Sequence, residues 1–197
     1  MSRTSHGIAV VAMVALLAHG AQAAEQAAAP PQPVQAVWVE HELQFTYQGF
    51  TTHYSCTGLR DKVRWILREV GARPDLKVRV TCMELSGPEL MPHVSIVAAM
   101  PAPATPEMLA GRQAGVPFPA RWQTVEFRSA STGRIEDGDC ELLEHMRDHV
   151  FVPLGIEVGP DSRLACIPHQ LPVASVRLEV VALVAVPAPD RQVPPPR

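Results

Sequence analysis

Apolar and polar residues alternate along one early stretch of the chain and then give way to a helical stripe. Val37, Val39, His41, Leu43, Phe45 and Tyr47 occupy every second position, the period of a strand with one face on a core. Leu59, Val63, Ile66 and Val70 then recur at steps of three and four, which is one face of an amphipathic helix. Ser55 stands where an N-cap belongs, Cys56 opens the helix, and Gly71 sits where a left-handed C-terminal cap would end it. Leu76, Val78, Val80 and Cys82 predict a second strand, and Val94, Ile96, Ala98 and Met100 a third.

The later half repeats this order. Trp122 to Ser129 predicts a weaker first strand. Asp139 is placed to cap the helix that Cys140 begins, Leu143, Met146 and Val150 form its stripe, and Pro153 ends it. Leu164 and Cys166 predict the close of a second strand, and Val176, Leu178, Val180, Ala182, Val184 and Val186 a third.

The halves share spacing as well as order. Cys56 and Cys82 lie 26 positions apart, as do Cys140 and Cys166, and the two pairs are offset by 84. Without a gap, the same offset places Trp38 on Trp122, Glu42 on Glu126, Ile66 on Val150 and Val70 on Leu154. It also places Gly71 on Gly155, Arg79 on Arg163, Pro88 on Pro172 and Val94 on Leu178. Such self-similarity predicts a duplicated unit. The expected fold is α+β: two tandem βαββ repeats over residues 36–100 and 121–186, six strands and two helices, with the helices on one face of mixed or antiparallel sheet. Residues 101–120 are Pro-rich and read as a linker, and the Pro/Ala-rich 24–35 and Pro-rich 187–197 read as disordered.

The N-terminal residues change the picture of where this unit works. Arg3 precedes an apolar run from Ile8 to Ala18, and Ala21-Gln22-Ala23 is a small-residue cleavage site. That is the pattern of a signal peptide over residues 1–23, with an uncleaved anchor as the alternative. The run falls short of the roughly 20 residues of a membrane span, so no transmembrane segment is expected after cleavage. Arg outnumbers Lys 15 to 2 and Asn is absent, a bias of high-GC bacterial genomes. The expected location is periplasmic or secreted. The formal charge of −3 gives no general attraction to nucleic acid, and no nucleic-acid partner is expected.

All four cysteines follow the signal segment, and an even count in an oxidising compartment predicts disulfides. The repeat favours Cys56–Cys82 and Cys140–Cys166. A helix of about 15 residues and a strand of about seven have similar lengths, so a chain that turns back at Gly71 returns its second strand to the start of the helix.

Several clusters carry candidate chemistry. Glu141, His145 and His149 recur at every fourth position of the second helix, and imidazoles so spaced can share a metal ion. The matching residues of the first half are Thr57, Asp61 and Trp65. The duplicated plan therefore demands no ligands, and no metal site or cofactor is assigned. Arg60, Arg64 and Arg68, with Arg73 beyond them, form a basic row suited to an anionic partner surface. The second half carries Glu144, Asp148 and Val152 at the three helical positions, so the two faces could pair with each other or with another subunit. His41 reads as a hydrogen-bonded core histidine, and His93 and His169 lie in loops without an acid or nucleophile nearby in sequence. Glu136-Asp137-Gly138-Asp139 reads as an acidic turn rather than a calcium loop. No nucleophile elbow, phosphate loop or dinucleotide fingerprint is present. No catalytic residue is assigned. The reading points away from an enzyme and toward a binding or envelope-interaction module for an unknown protein or envelope component. The alternative is an exported enzyme or metal-binding protein using the His-bearing second helix.

The segments YSCTGLRDKVRWILREVGA, GDCELLEHMRD and CIPHQL resemble a small family of uncharacterised exported proteobacterial proteins with paired cysteines. The resemblance spans roughly residues 35–186. It implies export and paired cysteines, and it implies no activity or ligand.

Overall fold

The computed structural model describes residues 32–82, 91–110, 115–129, 133–172 and 174–187. The expected signal segment, most of the flanking Pro-rich segments and the Pro88 position lie outside the described residues. The elements are β1 (Val34–Thr46), α1 (Cys56–Glu69), β2 (Lys77–Thr81), β3 (His93–Pro103), α2 (Pro106–Ala110), β4 (Phe118–Arg128), α3 (Cys140–Met146), β5 (Glu157–Val158) and β6 (Arg177–Ala185). A 3-10 turn (Asp137–Asp139) leads into α3, and a π turn (Arg147–Phe151) follows it.

The fold is α+β, and its six strands make one antiparallel sheet in the order β2-β3-β1-β4-β6-β5. Both halves therefore share a sheet. Their joint is short: Val34 pairs with Ala120, Gln35 with Pro119 and Ala36 with Phe118. Pairing within each half is much longer, running from Ala36↔Pro103 to Thr46↔His93 in the first and from Ala120↔Ala185 to Arg128↔Arg177 in the second. The strands enter the segment read as a linker, since β3 continues through Pro101 and Pro103 and β4 begins at Phe118. The short helix α2 between them was not expected from the sequence.

The helix stripes and one parity of the strands meet in a single core. Leu59, Val63, Ile66 and Leu67 of α1 and Leu142, Leu143 and Met146 of α3 are buried with Phe45, Val78, Val94, Ile96, Phe127, Leu178 and Val180. The halves interlock there. Trp65 of α1 meets Phe127 of β4 edge-on, with ring centroids 5.7 Å apart. In the other direction, His149 beyond α3 stacks on Phe45 of β1 at 6.2 Å. A smaller apolar cluster of Ala36, Ala120 and Leu183, flanked by Val34 and Phe118, seals the β1–β4 joint. Trp38 stacks on Phe118 beside it at 4.6 Å.

Both helices close in the same way. Gly71 donates to Arg68 O and Ala72 to Leu67 O; Gly155 donates to Val152 O and Ile156 to Phe151 O. Gly71 and Gly155 have φ of +94° and +68°, the left-handed region that glycine enters without a Cβ penalty. Pro153 lacks an N–H to continue the second helix, and the turn before it widens until Val152 donates to Arg147 O.

The cysteines pair as the spacing predicts, Cys56 with Cys82 and Cys140 with Cys166, at Cα separations of 6.2 and 5.5 Å. One local expectation in the second half is corrected. Its second strand is Glu157–Val158, with only a lone bridge from Arg163 to Arg177, and Leu164 and Cys166 lie outside any strand. Pro160 cannot donate to a ladder, and Ser162 turns back onto Gly159 O there. The ladder of the second half also slips by two residues. Trp38 faces Pro101, whereas Trp122 faces Leu183 rather than the matching Ala185. A two-residue slip leaves every side chain on its own face of the sheet.

Candidate functional site

The loop after β1 and the segment leading into α3 meet in a part-buried polar contact. Ser55 caps α1 as expected, its Oγ accepting from Gly58 N–H at 3.0 Å. Asp139, at the matching position of the second half, makes no side-chain cap to α3, which corrects the expectation. Its Oδ2 accepts instead from Glu136 N–H at 2.7 Å. Both of its oxygens also hold Lys62 Nζ, at 2.7 and 2.6 Å, and the Tyr54 hydroxyl donates to Oδ1. Asp139 is 1% exposed, so this carboxylate is compensated by a cation and by hydrogen bonds, as a buried charge requires. Lys62 and Tyr54 belong to the first half and Asp139 to the second.

Two residues further on, Glu141 does the same work. Its Oε2 accepts from the N–H groups of Phe50 and Thr51 at 2.8 and 2.9 Å, and Oε1 accepts from Thr51 Oγ1 at 3.2 Å. Tyr47 closes the loop from within by donating to Thr52 O at 2.9 Å. Two glycines lie close against the loop, Gly49 against backbone and Gly138 against a side-chain hydroxyl. A Cβ on Gly49 would lie 2.3 Å from Thr52 O, and one on Gly138 would lie 2.3 Å from Thr52 Oγ1.

This geometry settles where the suspected ligands lie. Glu141 spends its oxygens on the 50–51 backbone. The Nδ1 of His145 sits 2.8 Å from Glu141 O, and its Nε2 accepts from Gln48 N–H at 3.4 Å. His149 is exposed and stacks on Phe45. Among the described residues no group of three metal-ligating side chains gathers. His41 is half-buried, with no hydrogen bond to its ring among the described residues, which corrects the hydrogen-bonded reading; it faces small Ala98 across the ladder.

The arginine row is occupied by the chain's own groups. Arg60 and Arg64 share Asp61 at 2.9 and 3.9 Å. Arg68 donates to Pro74 O at 3.4 Å, and Arg73 forks onto Asp75 and lies over the Trp38 ring. The acidic face of the second helix does not reach it. Asp148 pairs with its neighbour Arg147 at 2.7 Å.

Burial, and then the charge of Asp139, push the Tyr54 hydroxyl far above the ordinary tyrosine range; burial, and then Glu141, do the same to Tyr47. Both phenols are thereby held as hydrogen-bond donors. Beside this seam a surface recess of about 320 Å³ is lined by Lys62, Trp65, Arg134 and Glu136 among others, with the Arg134 guanidinium 5.6 Å from the Trp65 ring centre. Sequence reasoning missed the roles of Tyr54, Lys62 and Thr51. Their one visible signal was divergence: the matching positions hold Gly138, Met146 and Ile135, which cannot make these bonds.

No family model, curated protein or solved structure matches the chain. Among the described residues no helix is long and apolar enough to cross a membrane.

Proposed function

We propose that this chain is an exported, non-enzymatic binding module, made by duplication of one disulfide-stapled βαββ unit and working in the periplasm or outside the cell. The signal-like N-terminus supports export, as do two bonded cysteine pairs, which persist in oxidising compartments. The resemblance to exported proteobacterial proteins with paired cysteines points the same way.

The offset of 84 supports duplication. It carries β1 onto β4, Cys56–Glu69 onto α3 with its π turn, and each helix-closing hydrogen bond onto its counterpart. It also makes Gln35 and Pro119 each other's equivalents, with Val34–Ala120 and Ala36–Phe118 exchanging about them. A two-fold joint has this self-complementary form.

The observation that carries the non-enzymatic reading is the polar seam. The buried acids Asp139 and Glu141 are both consumed in joining the halves. A general base needs a lone pair within reach of a substrate proton, and each oxygen of these two carboxylates already accepts a hydrogen bond from within the fold. In-cell crosslinking with mass spectrometry tests the reading. A discrete partner should appear with the wild-type protein and persist when His145, His149 and His169 are all changed to Ala. Loss of that partner in a folded triple variant, or substrate turnover that vanishes with one of these histidines, would favour the His-dependent alternative.

A further inference from the structure

The outer edges of the sheet are β2 and β5, and they are built differently. β5 is two residues long and is followed at once by the Gly159–Ser162 turn. β2 is a regular run of five residues without proline. Short, interrupted edges resist pairing with another chain, whereas regular ones invite it.

The direction of the β2 backbone follows from its neighbours. Tyr47 N–H donates to Pro92 O, and Arg73 N–H donates to Ala99 O. Even residues of β3 therefore face β1 and odd residues face β2. The odd residues His93, Ser95 and Val97 pair with Thr81, Arg79 and Lys77. Val78 and Val80 consequently turn their N–H and C=O groups away from the sheet. Among the described residues no hydrogen bond reaches them. A recess of about 410 Å³ runs along this edge, bounded by Thr57 and Arg60 of α1 and by Arg79 and Thr81.

Charge selects the occupant. Lys77 and Arg79 are exposed on the face of β2 away from the helices; Arg60, already paired with its neighbour Asp61 at 2.9 Å, adds a partly compensated charge at the recess. No acidic side chain lines it. We propose that the β2 edge receives an extended acidic segment of a partner protein, which adds as a seventh antiparallel or parallel strand. Its backbone would pair with Val78 and Val80. Carboxylates two residues apart would stand beside Lys77 and Arg79, because alternate side chains of an added strand share one face. A second copy's β2 would bring the same cations opposite these, and like charges directly opposite are unfavourable. The proposal rests on the binding-module reading and names its surface.

The test uses the intact, oxidised protein and a fluorescent peptide, Glu-Val-Glu-Val-Glu-Val-Glu, with a Lys-for-Glu control. Anisotropy should report binding of the acidic peptide that weakens with salt, and amide exchange should slow at Val78 and Val80. Lys77→Glu with Arg79→Glu should weaken binding about tenfold or more. Of two peptides, one N-methylated at every Val and one at every Glu, the one whose methyls face β2 should fail to bind and the other should still bind; equal binding of both would overturn the proposal without any protein variant. Equal binding of the Lys peptide would overturn the proposal. So would unprotected Val78 and Val80 amides at saturation, or self-association of the free protein that shields them. A partner crosslinked at another surface would sink the edge and leave the binding-module reading standing; His-dependent turnover would sink that reading instead.

Discussion

The two long helices start at matching places and use them in opposite ways. At α1, exposed Ser55 caps its own helix through Gly58 N–H. At α3, Asp139 is buried and turns its carboxylate to Lys62 and Tyr54 of the other half. The same position thus serves local structure in one half and long-range attachment in the other. The following turn repeats the contrast: exposed Thr57 against Glu141, whose carboxylate anchors the 50–51 loop. Two disulfide-stapled halves are joined by carboxylates of the second and the donors that the first turns toward them.

The comparison breaks most visibly at Asp139. Asp139→Ala should cost about 3–5 kcal/mol, because it leaves Lys62 part-buried without its counter-charge; Ser55→Ala should cost only about 1 kcal/mol. Urea denaturation of both variants checks the ratio. Next come the staples. Replacing Cys140 and Cys166 by Ser should cost about 2–4 kcal/mol. It should cost more than the same change at Cys56 and Cys82, because Cys140 lies in the core at 3% exposure and Cys56 does not. Thermal melts under non-reducing conditions rank the two. Glu141→Gln should cost about 1–3 kcal/mol and raise amide exchange at Phe50 and Thr51, while Thr57→Gln should leave those amides unchanged.

The smallest effect is a pH dependence. Both tyrosines of the chain, Tyr47 and Tyr54, have raised pKa values in the fold. Below the unfolded tyrosine pKa of about 10 both states keep the proton, and stability is unaffected. Above it the unfolded chain loses protons that the fold retains, so stability falls as pH rises. Tyrosinate absorbance should therefore appear together with unfolding, and Tyr54→Phe should make the decline shallower.

Periodicity and spacing made much of the frame legible. The alternation in Val37–Tyr47, the stripe at Leu59, Val63, Ile66 and Val70, and the matched cysteines anticipate β1, α1 and both disulfides. The second half was harder to read because Pro160 and the turn at Ser162 remove a strand that the hydrophobic pattern alone supports. The seam was not legible. Tyr54 and Lys62 meet Asp139 across 85 and 77 positions, and no local pattern marks such a contact. Asp139 before a helix looks the same whether it caps that helix or leaves it. The metal candidates illustrate the same limit: four-residue spacing put Glu141 and His145 on one face, and only the fold shows both turned to the 48–51 backbone.

A double-mutant cycle on Lys62 and Asp139 tests most directly that the second half's acids hold the halves together. Lys62→Met and Asp139→Leu, alone and combined, would be compared by urea denaturation. Each single change should destabilise strongly by stranding a buried charge, and the double variant should recover part of the loss, giving a coupling of about 1–3 kcal/mol. Additive effects within about 0.5 kcal/mol would contradict the account.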